Sequence, residues 1–351
     1  MHLLFQLLLN VTLQSLNIQS IVICANAMDS LFALAFSRTV ALEFYPHPAF
    51  HVTKDVVSLY DGSGFYLSLG YIVIAMMTLP LGFFNLDDNM KVQWLSFFGL
   101  LALMGEFMAD YTFVEGLDYE HTKLFGTDPS QLTAVFITAW GYALLIPSWT
   151  NELVPAVYPH INAVIWGSAI VTQVGYIAFS VLAMWSYPEM DNDDLPNDMG
   201  SNKPILITHI CISLFSLFII LPGIPVYCIT TRYNLYVGGI CGKYLSYFLG
   251  VVAPWAIGFL FAQGPLFAAL LNYSALFFSG FVNYTIPFML YWRAHALERR
   301  RHRDLLTAKA SLPYDRFSAL PGALDRFYWI IAPILILLTL CSSLSVWAEI
   351  S

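Results

Sequence analysis

Thr138-Ala139-Trp140-Gly141-Tyr142-Ala143-Leu144-Leu145-Ile146-Pro147-Ser148-Trp149-Thr150-Asn151-Glu152 is the stretch whose reading decides the fold. It continues an apolar run that begins near Leu132 and is long enough to enter a bilayer. Gly141 lies near its middle, and Pro147 with a polar Ser-Trp-Thr-Asn-Glu tail closes it. An interrupted helix in lipid leaves backbone N–H and C=O groups unpaired, which is tolerable only against protein or a water-filled cavity. Transporters use such breaks to hold small charged solutes near the bilayer midplane. A span merely kinked at proline, with no ligand, is the competing reading.

Composition puts the break in a membrane. Hydrophobic residues fill 58% of the 351 positions and charged residues 11%, against about 25% charge in a soluble domain; mean hydropathy is +0.66. The net charge of −8 hides a segregation of the two signs along the chain. The five cysteines, Cys24, Cys211, Cys228, Cys241 and Cys341, are scattered and mostly within apolar runs. None has the spacing of a metal or redox pair, so they read as small packing residues. The first residues lack the basic flank of a cleaved signal, and the run from Met1 reads as a retained span.

At about 20 apolar residues per span, nine spans are expected, near 8–36, 65–85, 92–114, 131–153, 161–185, 205–231, 244–262, 265–292 and 327–347. With the first running outward, inner segments hold eleven Lys and Arg and outer ones four, Arg38, Lys54, Lys123 and Lys203. That asymmetry is the one the positive-inside rule requires. It makes the basic loop at 294–326 cytoplasmic and the acidic loop around Asp191, Asp193 and Asp194 external. The sequons at Asn10, Asn272 and Asn283 fall inside spans, where glycosylation is not expected.

Polar residues within spans carry the functional signal. The first span has Asn10, Gln14 and Asn17 on one helical face, then Gln19, Asn26 and Asp29. The third has Glu106 and Asp110, four apart and therefore on one face. An uncompensated acid at mid-span costs about 2.5–3.5 kcal/mol on insertion scales, so Glu106 should face a cavity or carry a proton. It is either a coupling acid or a protonated group packed between helices. Asn272, Ser279 and Asn283 form a second stripe, of the kind that glues helices or lines a solute path. His209, near a span end, reads as an interfacial histidine or a proton relay.

Several segments together resemble the amino acid/auxin permease family of the amino acid–polyamine–organocation superfamily. They are Asn17-Ile18-Gln19-Ser20-Ile21-Val22 with Ala27-Met28-Asp29, Thr78-Leu79-Pro80-Leu81-Gly82-Phe83-Phe84-Asn85-Leu86-Asp87-Asp88-Asn89, Ile146-Pro147-Ser148-Trp149-Thr150-Asn151-Glu152, and Ile224-Pro225-Val226-Tyr227 with Thr231-Arg232-Tyr233-Asn234-Leu235. The resemblance covers nearly the whole chain and is similar to fungal and protist members. It implies an all-α polytopic protein with the inverted-repeat fold of the leucine-transporter type. In that register the break at Gly141 matches the sixth helix, residues 8–36 the third, and Asn272 to Asn283 the tenth. Helices one and two have no counterpart, so the expected fold is an incomplete one. One transporter domain over 1–351 is expected: 1–115 from the first repeat, 131–293 the second, 294–326 the basic loop and 327–351 the final helix.

The function that follows is secondary transport of amino acids or similar small zwitterions, with the alternative of a non-transporting remnant or assembly subunit. Thr138, Ala139, Trp140, Gly141, Tyr142 and Asn26 are the expected substrate residues, with Glu106, Asp110 and Asp29 in coupling or gating. Free N–H groups at the break would receive a carboxylate. The coupling ion, H+ or Na+, is not specified, and no resident cofactor or metal is expected. The partners are the amino acid and the bilayer of a plasma or vacuolar/lysosomal-type membrane, with no nucleic acid. An embedded enzyme is disfavoured. Tyr60-Asp61 and Gly62-Ser63-Gly64 are superficially similar to intramembrane protease motifs, but they lie in a loop without their counterparts.

Overall fold

A computed structural model of the chain describes residues 2–45, 47–53, 65–120, 153–187 and 206–261. It also describes 145–146, 149–150, 279–287, 289–291, Gly141, Met199 and Arg293. The expected basic loop and final helix, and most of the spans at 131–153 and 265–292, lie outside the described residues. Contacts group the chain into two compact units, one of Leu13–Thr127 with Ser148–Leu271, the other of Met1–Thr12, Asp128–Pro147 and Asn272–Ser351.

Helix dominates. α1 (His2–Phe36) has 35 residues, about 52 Å at 1.5 Å per residue. After it come α2 (Leu69–Thr78), α3 (Met90–Asp110), α4 (Ile161–Ser186), α5 (Leu206–Ile220), α6 (Gly223–Val237), α7 (Lys243–Tyr247) and α8 (Ala253–Phe261). Single π-helical turns extend α3 (Tyr111–Glu115) and join α7 to α8 (Phe248–Val252). Among the described residues, five helical stretches are long and apolar enough to cross a membrane: Phe5–Phe36, Met90–Glu115, Pro155–Ser186, Leu206–Val237 and Lys243–Leu260. They coincide with five of the nine expected spans.

Two expectations need correction. The fold is not purely α: residues 39–68, read as an outer loop and the start of a span, contain three antiparallel strands. These are β1 (Thr39–Tyr45), β2 (Ala49–Thr53) and β3 (Phe65–Ser68), with β1 in the centre. Thr39-Val40-Ala41-Leu42-Glu43-Phe44-Tyr45 alternates burial along its length and is rich in β-branched and aromatic residues, which suit a half-buried pleat. The span expected at 65–85 is correspondingly short. Its first four residues are strand, and the apolar helix covers only Leu69–Phe83, about 22 Å against a hydrocarbon core of about 30 Å. Pro80 has no N–H to continue the ladder, and the last turn, Pro80–Phe83, tightens to 3₁₀.

Pro222 acts similarly between α5 and α6, where Leu221 and Pro222 form a turn inside an otherwise continuous apolar stretch. Among its described residues the larger unit has two apolar cores. One joins Ile21, Cys24 and Met28 of α1 to Ile74 of α2, Cys228 of α6, Val251 of the π turn and Trp255 of α8. The other joins Phe107 and Tyr111 to Ala183, Tyr187 and Met199.

Candidate functional site

Of the expected substrate residues at the break, Gly141 is described; Thr138, Ala139, Trp140 and Tyr142 lie outside the described residues. Gly141 and Leu145 are in 3₁₀ turns and Ile146 is α-helical. A methyl group added at Gly141 would stand 3.3 Å from Asn283 Nδ2 and 3.7 Å from Ser279 Oγ. Both are on the expected polar stripe, and all three residues belong to the smaller unit. Asn283 sits in a π turn, Phe281–Thr285, and its amide donates to Ser279 Oγ at 2.8 Å. Each is 4% exposed. Bare backbone thus faces a hydroxyl and an amide, which together offer donors and acceptors to a polar solute. Asn272 lies outside the described residues.

In the larger unit the structure unites Glu106 and Asp110 through a threonine that no motif or spacing marks. Thr208 of α5, 1% exposed, places its Oγ1 2.7 Å from Glu106 Oε1 and 3.1 Å from Asp110 Oδ1. The hydroxyl has one proton to donate. That proton can be given to either carboxylate or shared between the two. Glu106 Oε2 is sealed from solvent and has no partner among the described residues. No described Lys or Arg pairs with either acid; the one ion pair among described residues is Glu43–His51. Tyr111 interacts electrostatically with both acids, and Cys211 with Glu106.

Asp29, grouped with these acids as a coupling residue, stands elsewhere. It is fully buried, and its Oδ1 accepts from Thr39 Oγ1 at 2.7 Å and from the Gly70 amide at 2.9 Å. That ties α1 to the first residues of β1 and to the first turn of α2, where the N–H groups have no intrahelical partner. A methyl on Gly70 would fall 2.5 Å from the Ala25 carbonyl oxygen, so only glycine lets α2 come this close. Asn26, one turn before Asp29, has a buried Oδ1 with no partner among the described residues. Asn17 donates to Cys228 Sγ at 3.2 Å, and Gln14 donates at 2.8 Å to the carbonyl of Leu249 in the π turn. In such a turn a carbonyl is left over by the wider ladder.

Arg232 is one of the eleven inner basic residues and part of a segment that carries the family resemblance. It is 2% exposed and donates to three successive carbonyls: Gly82 at 3.2 Å, Phe83 at 2.9 Å and Phe84 at 2.8 Å. Its guanidinium also lies 4.5 Å from the ring of Tyr247 and 5.0 Å from that of Tyr233. The last carbonyls of a helix carry partial negative charge, so a cation closes the end of α2 without any acid. Tyr233 Oη donates to Asn85 Oδ1 at 3.0 Å, and Asn89 Nδ2 reaches the carbonyls of Leu81 and Asn85, each at 3.1 Å. Two segments quoted for the family resemblance, 78–89 and 231–235, therefore form one packed locus.

No family model, curated protein or solved structure matches the chain.

Proposed function

We propose that the chain is a multi-pass membrane protein of the transporter type, whose solute is an amino acid or another small zwitterion. The observation that carries this reading is the approach of Gly141 to Ser279 and Asn283. A zwitterion needs N–H donors for its carboxylate and oxygen acceptors for its ammonium group. A bare backbone position beside a buried hydroxyl and amide supplies both kinds in a small volume. The carboxyl pair bridged by Thr208 is a proton store of the right chemistry to couple such movement to a proton gradient. A carboxyl within a bilayer is costly when charged and tolerated when protonated.

The test uses the purified full chain in liposomes, with labelled neutral amino acids for both equilibrium binding and counterflow. Saturable binding with exchange is expected, and Gly141→Val should lower binding at least tenfold at unchanged abundance, because its branched side chain displaces the Asn283 amide. Glu106→Gln should keep counterflow but lose uptake driven by a proton gradient. Binding without exchange would favour the alternative, a non-transporting relative of a carrier. Absence of saturable binding by the unmodified chain would remove the solute assignment.

A further inference from the structure

Among the described residues, one face of the three-stranded sheet is apolar and only partly covered. Alternation along β1 turns Thr39, Ala41 and Glu43 inward, with 1%, 1% and 9% exposure, and Leu42 and Phe44 outward. Val52 and Phe50 of β2 pair with Val40 and Leu42, so they share the outward face. Leu42, Phe44, Phe50 and Val52 are 39%, 49%, 69% and 52% exposed. That face carries no charged side chain at these positions, while Glu43 and His51 pair on the opposite one. An antiparallel sheet with one solvated face ordinarily sets polar residues on that face. Here the pattern is reversed.

We infer that this outward face rests in the interfacial layer of a lipid bilayer, as a shallow apolar wedge beside the helices. The inference rests on the membrane reading and not on the solute assignment. Its first support is continuity. Only Ser37 and Arg38 separate α1 from β1, and Ser37 makes the turn with a φ of 58°. Ser68 is both the last residue of β3 and the cap of α2, where its hydroxyl accepts from the Tyr71 amide. The sheet is therefore fixed at the ends of two apolar helices, and the Asp29 bonds to Thr39 and Gly70 hold it there.

The exposed apolar surface also runs on into those helices. Leu69, Ile72 and Met76 of α2 are 38%, 38% and 65% exposed, and Phe44 meets Phe259 of α8 edge-on with ring centroids 5.8 Å apart. A surface that is apolar on the helix and apolar on the adjoining sheet is wetted by one medium, and for the helix that medium is lipid. Aromatic rings such as those of Phe44 and Phe50 are suited to the region between headgroups and acyl chains.

Photocrosslinking in the full chain tests this. The photoreactive residue p-benzoylphenylalanine is placed at position 50, at position 52 on the same face, or at position 51 on the opposite face. Each protein is reconstituted in vesicles of phosphatidylcholine and phosphatidylglycerol and irradiated, and adducts are read by mass spectrometry. Phospholipid adducts at 50 and 52 at least fivefold above those at 51 are expected. A crosslinked dimer from 50 and 52 would overturn the inference in favour of a second copy, and equal lipid yields at all three positions would overturn it outright. Alkaline carbonate extraction is run beside it. Release of the unmodified chain would sink the membrane reading, and the inference with it; retention with no face preference sinks the inference alone.

Discussion

Thr208 has one hydroxyl proton and two carboxyl neighbours. Thr208→Val keeps the shape but leaves both acids without their bridge, and should destabilise the chain by about 1–2 kcal/mol. Thr208→Ser should behave as the wild type, and Glu106→Gln should also be tolerated, since its amide can donate to Oγ1. Thermal melting in detergent is the measurement, and a loss for Ser with none for Val would show that the methyl, not the hydroxyl, matters. Arg232→Lys retains the charge but not the planar fork. It can no longer span three carbonyls, so a loss of about 2 kcal/mol or more is expected. The acids were legible in the sequence because a spacing of four fixes a shared helical face. Arg232 was not, because its partners are backbone carbonyls 148 to 150 positions away, and carbonyls have no sequence signature.

Helices in this protein are shaped by where they are interrupted. Gly250, within the π turn between α7 and α8, lies so close to α6 that a methyl would meet the Arg232 backbone nitrogen at 3.0 Å and its Cα at 3.2 Å. Backbone cannot step aside as a flexible side chain can. Gly250→Ala should therefore separate the two elements and lower the melting temperature clearly. Gly175 of α4 has nothing within 4 Å of the same added methyl, so Gly175→Ala should be neutral or slightly stabilising, as alanine favours helix. Similar losses for both would mean that close packing at Gly250 is not what selects glycine. Strand alternation at 39–45 was also present in the sequence, but a search for spans of about 20 apolar residues passes over a signal only seven residues long.

For the whole molecule the expected result is a fixed orientation across the membrane. The eleven-to-four distribution of Lys and Arg puts the segment at 294–326 in the cytoplasm and that at 187–204 outside. Single tags in each segment, probed with an impermeant reagent on intact cells, should label only the second. Labelling of the Arg299–Arg303 segment from outside would reverse the orientation and leave the helices themselves unaffected.

Sequence by itself determined what depends on composition and short periodicity. Enough apolar residues in a row make a helix that prefers lipid, because each buried backbone group is satisfied within its own segment. Acids four apart share a face for the same local reason. Only the tertiary structure decided which groups complete the polar clusters: Thr208 beside acids 98 and 102 positions away, the Gly70 amide on Asp29, and the carbonyls of 82–84 on Arg232. Such partners depend on how turns such as Ser37 and Leu221-Pro222 redirect the chain. A buried polar group must be paired by whatever those turns bring within 3 Å or so. The composition of a segment does not encode that meeting; the path of the folded chain does.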